Sequence, residues 1–250
     1  MKRKKTALIA IVFIIILNMV WLPAGRAESF LGKFEREVEQ EIGYYNYQSL
    51  IRQKRPAKLE KVQAQRVQRI FSRLVARASR SGEIKYTLTI VNDPAVNAFA
   101  VPGGYIFINT GLIDFAQSDG ELAGVIGHEI AHIEKKHTMK SLYRSVGMSA
   151  LWNLAMYKND SSYKQTLNRV AGVSMALIQL GYSRDAEFEA DAYGVRMMTA
   201  AGYSKDELLN FWRRVASRSG AEMPAVFQLF STHPPIKERI SAIEKLQPNP

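Results

Sequence analysis

The sequence contains no cysteine among its 250 residues. Disulfide bonds and zinc sites built from thiolates are therefore excluded, and any bound metal must be held by histidines and carboxylates. Histidine is also scarce, because the chain has only four, and three of them lie between positions 128 and 137. Neither an internal repeat nor a low-complexity tract is present. The apolar content of 47% and charged content of 23% are ordinary for a globular protein, which excludes a disordered chain.

The amino terminus has the pattern of a targeting segment, which we assign to residues 1–27. Four basic residues precede an apolar run from Ala7 to Leu17, and Pro23 interrupts the apolar stretch shortly before Ala27. This arrangement is typical of a signal peptide, here cleaved after Ala27. The alternative is an uncleaved membrane anchor, because Ala7–Leu22 could just cross a bilayer if tilted. Both interpretations place the folded chain outside the cytoplasm, in the periplasm or cell envelope.

The charge of the chain is strongly positive and unevenly distributed. Five of its net +11 charges lie in residues 1–27, which leaves +6 for residues 28–250, and most of that excess lies between Arg52 and Arg80. Such a surface suits contact with anionic lipid or acidic polymers, although a solvated face is the more common meaning. Peripheral contact with a membrane is therefore a possible interaction, whereas nucleic acid is not an expected partner of an exported chain.

Hydrophobic periodicity predicts a helical region over residues 28–82, packed on a catalytic domain of residues 83–250. Its second helix, over Leu59–Ala78, has an apolar stripe that includes Val62 and Leu74. Three short strands follow, and turn signals between them predict a small antiparallel sheet. The predicted strands are Ile84–Val91, Val96–Val101 and Tyr105–Asn109. An unpaired edge of such a sheet can accept an extended peptide as an added strand.

An amphipathic helix is predicted directly after the sheet. Ser118 and Glu121, three residues apart, predict a capping box at its start. Apolar residues then recur at three- and four-residue steps, which is typical of a helix with one buried face. The periodic positions are Leu122, Val125, Ile126, Ile130 and Ile133.

This helix carries the motif H-E-x-x-H at residues 128–132. Residues four apart on a helix share a face, so His128 and His132 point to a common spot where two imidazoles can hold zinc. Glu129 lies beside them and is placed to act as a base on a water molecule there. The alternative is a chance histidine pair on a polar helix face, and the zinc interpretation requires a third ligand downstream.

Carboxylates that could supply this ligand lie about fifty residues further on. Glu187 and Asp191 are four residues apart and share a helix face. Asp185 and Glu189 have the same spacing, so the spacing alone leaves both pairs open. In the first assignment Glu187 would bind the metal, and Asp191 would accept the free N–H of a ligand histidine.

Taken together, the motifs H-E-x-x-H and E-x-x-x-D resemble the zinc metalloendopeptidase family that includes the CAAX prenyl-protein proteases. The likeness covers Val96–Ile240 and is greatest to bacterial, extracytoplasmic, single-domain members. It implies an α+β fold that is mostly helical and zincin-like, of the gluzincin type, with a small antiparallel sheet beside the active-site helix. It also implies one Zn²⁺ per chain, bound by His128, His132 and Glu187.

The same resemblance implies further roles. Asp191 would orient a ligand histidine, and Arg239 would hold a substrate carbonyl or developing charge. His233, in the stretch S-T-H-P-P, would stabilise the oxyanion or occupy the open metal position at rest. A helix started by proline, with a surface histidine and arginine, is the alternative for this stretch. The residues Asn97, Ala98, Phe99 and Ala100 would form the substrate-binding edge strand.

The sequence therefore predicts a zinc-dependent metalloendopeptidase with Glu129 as its general base. Backbone pairing along a sheet edge reads little side-chain sequence, so unfolded or misfolded envelope proteins are the expected substrates. Two other classes stay open. One is a latent protease or chaperone-like envelope binding protein with a closed zinc site, and the other is a structural envelope protein without metal.

Overall fold

The computed structural model describes residues 24–147, 149, 151, 154, 163–218, 233 and 236–246. The chain divides into two compact units, residues 1–38 and residues 39–250. Of the first unit, the description covers only the amino-terminal part of helix α1. Most of the predicted targeting segment, residues 1–23, lies outside the described residues.

The described residues form helices around one small sheet, which confirms the predicted α+β class with mostly helical content. The strands are β1 (Thr87–Val91), β2 (Ala98–Val101) and β3 (Tyr105–Asn109), and a single 3₁₀ turn (Pro102–Gly104) joins the last two. The helices are α1 (Ala24–Gln53), α2 (Lys61–Val75), α3 (Thr110–Phe115), α4 (Asp119–Glu134), α5 (His137–Val146), α6 (Tyr163–Leu180), α7 (Arg184–Ala200), α8 (Lys205–Ser217) and α9 (Ile236–Lys245). Within the described ranges, none of these helices is both long and apolar enough to cross a bilayer.

The sheet is mixed, so the prediction of a wholly antiparallel sheet was wrong. Its strand order is β1-β3-β2, with β2 antiparallel to β3 and β1 parallel to β3. The loop after β1 does not reverse the chain into a hairpin, because it crosses the end of β3. There the Gly111 amide donates to the Asp93 carbonyl, and the Asn109 amide donates to the Asn97 carbonyl. The crossing places β2 on the far side of β3.

Helix α4 is the centre of the larger unit, and every residue from Gly120 to Glu134 is buried. It packs against α2, α7, α8 and β2. The start of α4 shows one of the two hydrogen bonds of the predicted capping box. The Ser118 hydroxyl accepts from the Glu121 amide, but the Glu121 carboxylate accepts from the Gln117 amide and pairs with Arg214 instead of closing a capping box.

Helix α2 packs on α4 through an apolar stripe that differs from the predicted one at its start. Val67, Ile70, Phe71 and Leu74 are buried, whereas Val62 is 79% exposed. At about 100° per residue, Val62 lies about 140° around the helix from Val67, so it cannot share the buried face. The outer face of α2 carries this valine together with the exposed Lys61, Arg69 and Arg73.

The carboxylate of Glu134, at the end of α4, ties this helix to the segment that leads into β1. It accepts hydrogen bonds from the amides of Ser79 and Arg80 at 3.0 and 3.2 Å, and from the hydroxyls of Ser79, Tyr86 and Tyr193. Burial alone would raise the pKa of Glu134, but these hydrogen bonds outweigh it and hold the pKa below its usual value. The charged form is therefore the one that stabilises the fold.

We expect Glu134→Gln to lower the free energy of unfolding at neutral pH by about 2 kcal/mol, because the amide loses charge-assisted hydrogen bonds. A carboxylate with a lowered pKa contributes stability above its unfolded pKa, and this contribution is lost as the pH falls through the folded pKa. The difference from wild type should therefore shrink on acidification. Urea unfolding at several pH values measures it, with the exposed Glu60→Gln as control. An equal loss in both variants would contradict the assignment.

Candidate metal centre

Four buried side chains bring metal-binding atoms together at one point between α4 and α7. The ligand atoms of His128, His132, Glu187 and His233 all lie within 4.8 Å of one another. Helix α4 supplies the first two, because residues four apart share a face, and the first turn of α7 supplies Glu187. His233 comes from a position outside the regular helices, and its sequence neighbours in S-T-H-P-P lie outside the described residues.

The spacing of these atoms fits a tetrahedral zinc site. The Nε2 atoms of His128 and His132 are 2.9 Å apart, and Glu187 oxygens lie 3.4 Å and 3.6 Å from them. The Nδ1 atom of His233 lies 3.3 Å from His128 Nε2 and 3.1 Å from Glu187 Oε1. Nitrogen and oxygen ligands about 2.1 Å from a tetrahedral ion lie about 3.4 Å apart, close to these values. The donor set of imidazoles and one carboxylate suits zinc.

Glycine at the crossing of α4 and α7 allows this convergence. A Cβ atom at Gly194 would lie 3.0 Å from the His128 amide nitrogen and 3.1 Å from the Gly127 carbonyl carbon. Both contacts are with backbone, so a larger residue would push the helices apart. The side chains of His128 and Glu187 meet because the two backbones approach this closely.

The imidazole of His128 is held from behind by a buried ion pair. Its Nδ1 atom lies 2.9 Å from Asp191 Oδ1, and both Asp191 oxygens accept from the guanidinium of Arg239 at 2.7 Å. A proton on Nδ1 that is donated to Asp191 leaves the Nε2 lone pair free for a metal. Arg239 is fully buried and also contacts Glu187 and the His233 carbonyl. It therefore lies behind the ligands, and its predicted contact with a substrate carbonyl stays a prediction.

The imidazole of His132 is held in the same way by a second chain of contacts. Its Nδ1 atom lies 2.8 Å from His137 Nδ1, and His137 Nε2 lies 3.1 Å from Glu189 Oε2. If His137 donates to Glu189, its Nδ1 accepts the proton of His132, and His132 Nε2 is again free for a metal. Burial lowers the pKa of His137, which favours the neutral form that this chain requires.

Tyr182, just before α7, is a site residue that the sequence analysis missed. Its ring stacks on His132 with centroids 3.9 Å apart, and its hydroxyl lies 2.7 Å from the Thr138 hydroxyl. No periodicity or motif marked this tyrosine, because it lies in a short connection between helices. Its proximity to His132 follows only from the packing of α7 against α4.

Glu129 lies beside the four ligands with its carboxylate unused by the fold. Both of its oxygens are buried and have no hydrogen-bond partner among the described residues, and Oε1 lies 3.4 Å from His233 Nε2. A buried carboxylate without a hydrogen bond is costly. Glu129 therefore lies next to the metal-binding atoms with its hydrogen-bonding capacity unused among the described residues.

The ionisation of the site in the absence of a metal reflects burial and neighbouring charges. Burial and Arg239 would lower the pKa of His128, but hydrogen bonds to Asp191 and Glu187 raise it to about 9. Burial lowers the pKa of His132. The pKa of Glu187 would be raised by burial, but the charges of His233 and Arg239 bring it well below its usual range. These neighbours therefore favour the anionic form of Glu187.

The predicted edge strand lies against α4, but its side chains face the interior. Asn97, Ala98, Phe99 and Ala100 are all at least nine-tenths buried. The alanines pack into the main core, while Phe99 stacks on Phe107 on the other face of the sheet. The predicted contact with a substrate stays a prediction. Because the side chains are buried, such a contact would be made by the backbone of the strand.

We expect Tyr182→Ala to weaken metal binding about 10-fold or more, because residues that support a metal ligand typically contribute 10- to 100-fold to metal affinity. Tyr182→Phe keeps the stacked ring and loses only the hydrogen bond to Thr138, so it should stay close to wild type. Competition with a chromogenic chelator measures both affinities. A Phe variant as weak as the Ala variant would show that stacking on His132 is not the cause.

Comparison with known proteins gives a consistent result. The sequence profile of peptidase family M48 matches residues 61–247. The mitochondrial metalloendopeptidase OMA1 of Schizosaccharomyces pombe is 30% identical over 73% of this chain and 52% of its own length. A putative beta-barrel assembly-enhancing protease of Vibrio cholerae is 28% identical over 82% of this chain and 43% of its own length. The metalloprotease YcaL of Escherichia coli is 27% identical over 64% of this chain and 61% of its own length. The chain thus spans about half of the length of these relatives.

Proposed function

The chain belongs to peptidase family M48, and from this premise we propose that it is a zinc-dependent metalloendopeptidase. His128, His132 and Glu187 would hold one Zn²⁺ per chain. The observation that carries the proposal is the meeting of these buried ligand atoms beside Glu129, whose carboxylate has no hydrogen-bond partner among the described residues. The closer kinship with CAAX prenyl-protein proteases and with bacterial extracytoplasmic members stays a prediction.

The protein's own residues would divide the work of peptide hydrolysis. Zinc held by His128, His132 and Glu187 would act as a Lewis acid that lowers the pKa of water to about 7 and polarises a carbonyl. Glu129 takes the proton from the attacking water and passes it to the leaving amine. Asp191 accepts the Nδ1 proton of His128 and so fixes the orientation of that imidazole. His137 accepts the Nδ1 proton of His132 and orients it in the same way. His233 would stabilise the oxyanion once substrate has entered.

Arg239 supports this arrangement from behind through its contacts with Asp191 and Glu187. A substrate peptide would lie extended along β2, paired through the backbone of residues 97–100.

We propose a leader over residues 1–27, a helical region over 28–82 and the peptidase domain over 83–250.

The substrates are polypeptides, and we propose that they are extended or misfolded proteins of the cell envelope. Two kinds of support exist. Relatives named beta-barrel assembly-enhancing proteases cover most of this chain, and residues 1–27 have the pattern of an export signal. An extracytoplasmic location, with the leader either cleaved or kept as an anchor, and peripheral contact with the membrane belong to the same proposal. A deletion strain without accumulated envelope substrates would count against it.

Metal removal tests the proposal directly. We expect the purified protein to contain about one zinc per chain, and a chelator should abolish casein cleavage that added zinc then restores. Glu187→Ala should bind the metal much more weakly, because it removes one of three protein ligands. Folding is checked by circular dichroism. Cleavage by a folded, metal-free sample, or unchanged metal affinity in Glu187→Ala, would refute the proposal.

A second candidate is a latent protease or chaperone-like binding protein, and one observation favours it. The Nδ1 atom of His233 lies among the other ligand atoms, where it would fill the position that a catalytic water needs. Casein cleavage by wild type that disappears in Glu129→Gln would support the enzyme. Binding of unfolded protein without cleavage, with cleavage appearing only in His233→Ala, would support the latent form.

A further inference from the structure

The positive charge of the chain is concentrated on one helix and its flanks. Residues 52–80 contain ten basic residues and one acid, Glu60, so this stretch carries +9. Residues 28–250 as a whole carry +6, and the remainder of that range is therefore net negative. Within this range the net positive charge is therefore confined to one stretch of the chain and is not a general excess of lysine and arginine over the whole surface.

Most of these cations face solvent. Three of them are used within the fold, because Lys54 pairs with Asp93, Arg66 with Asp119 and Arg80 with Glu39. The other seven are exposed, and within the described part of the chain none has an ion-pair partner. These are Arg52, Arg55, Lys58, Lys61, Arg69, Arg73 and Arg77.

On α2 the exposed cations form a row that winds about 120° around the helix between Lys61 and Arg73. Lys61, Arg69 and Arg73 are separated by multiples of four residues, and Arg77 continues the series just after the helix ends. The row runs about 18 Å from Lys61 to Arg73 along the helix. It lies opposite the apolar face that α2 packs on α4, so it can meet a flat surface without disturbing the core.

Val62 gives this basic face an apolar contact. It is 79% exposed and lies seven residues before Arg69, on the same side of the helix. A helix that combines a cationic row with an exposed apolar side chain suits the boundary between lipid head groups and acyl chains. A soluble acidic polymer offers no apolar surface for Val62 to contact, so the valine would not strengthen binding to such a polymer.

We propose that the outer face of α2, formed by Lys61, Val62, Arg69, Arg73 and Arg77, docks on a membrane surface rich in anionic lipid. Each basic residue near such a surface contributes about fivefold to binding. The buried face of α2 packs on α4, so docking positions the peptidase domain at the membrane without contact with the metal ligands. The inference names the surface for the peripheral membrane contact put forward with the proposed function, and it does not rest on the peptidase activity.

Vesicle sedimentation of the full chain tests the proposal. Binding to phosphatidylcholine vesicles is compared with binding to vesicles that also contain phosphatidylglycerol, so that attachment by the apolar leader is measured and subtracted. The triple variant Arg69→Gln, Arg73→Gln, Arg77→Gln should lose on the order of 100-fold of the phosphatidylglycerol-dependent affinity. Val62→Ser should lose severalfold, and added salt should weaken wild-type binding.

The matched control removes three exposed cations elsewhere, with Lys164→Gln, Arg169→Gln and Lys237→Gln. It should bind nearly as wild type. Equal loss in both triple variants, or no preference for phosphatidylglycerol, would overturn the proposal. So would unchanged vesicle binding by Val62→Ser together with equally tight binding to soluble polyglutamate, which would assign the face to acidic polymers. Hydrolysis of a soluble peptide, measured on the same samples, reports the proposed activity separately.

Discussion

Glu129→Gln is expected to lower the rate of peptide hydrolysis by about 10²- to 10⁴-fold while the protein stays folded and binds metal. Glutamine has almost the same shape as glutamate but cannot take a proton from water, and general-base catalysis typically contributes a factor of this size. The fold should tolerate the change, because neither oxygen of Glu129 has a hydrogen-bond partner among the described residues. The amide also removes a buried negative charge, so stability should be equal to wild type or higher.

The measurement is casein or peptide cleavage at matched zinc content, with urea unfolding of the same samples. Glu60→Gln is the matched control, since it makes the same chemical change at an exposed position far from the ligands in sequence. Full activity in Glu129→Gln at normal zinc content would show that Glu129 is not the general base. Loss of zinc together with activity would instead make Glu129 part of the metal-binding group.

The local parts of the site could be predicted from the sequence. The positions of His128 and His132 on one face follow from the helical repeat, and Ser118 marks the start of α4 by its own hydrogen bond. Strand β3 has the predicted bounds, because Pro102–Gly104 makes a turn that few other residues could make. In each case the decisive interaction joins residues only a few positions apart.

The parts that depend on distant contacts could not be predicted in this way. Spacing left the pairs Glu187–Asp191 and Asp185–Glu189 equivalent, and the structure places them differently. Glu187 faces the imidazoles across the Gly194 contact, while Glu189 faces His137 and Lys135 on the outer side. The parallel pairing of β1 with β3 likewise depends on a loop that crosses the end of β3. Such arrangements arise from packing between helices and strands, which cannot be inferred from local periodicity in the sequence.

Replacing Arg239 by methionine is expected to lower the free energy of unfolding of the metal-free protein by about 3–5 kcal/mol. The guanidinium is fully buried, binds both oxygens of Asp191 at 2.7 Å and contacts Glu187 at 3.1 Å, and its Cζ atom lies 4.2 Å from the centre of the Trp212 ring. Methionine fills much of the volume but takes the guanidinium away from two buried carboxylates, Asp191 and Glu187. Removing one member of a buried ion pair typically has this effect.

The pH dependence of this loss identifies its cause. Burial would raise the pKa of Asp191, but the charge and hydrogen bonds of Arg239 hold it below its usual value. In wild type, Asp191 therefore contributes stability above its unfolded pKa of about 4, and this contribution is lost as the pH falls. Without Arg239 the folded pKa rises, and a protonated Asp191 needs no counter-charge. The difference between Arg239→Met and wild type should thus be largest near neutral pH and shrink on acidification.

Urea unfolding of the metal-free proteins between neutral and acidic pH measures this difference. Arg213→Met is the matched control, because Arg213 is half exposed and pairs with Glu244 at the surface. It should lose less than about 1 kcal/mol. Arg239→Lys keeps the charge but not the paired contact with both Asp191 oxygens, so it should fall between wild type and Arg239→Met. A loss independent of pH would attribute the effect to packing against Trp212, and a loss no larger than that of Arg213→Met would show that Asp191 and Glu187 do not depend on this guanidinium.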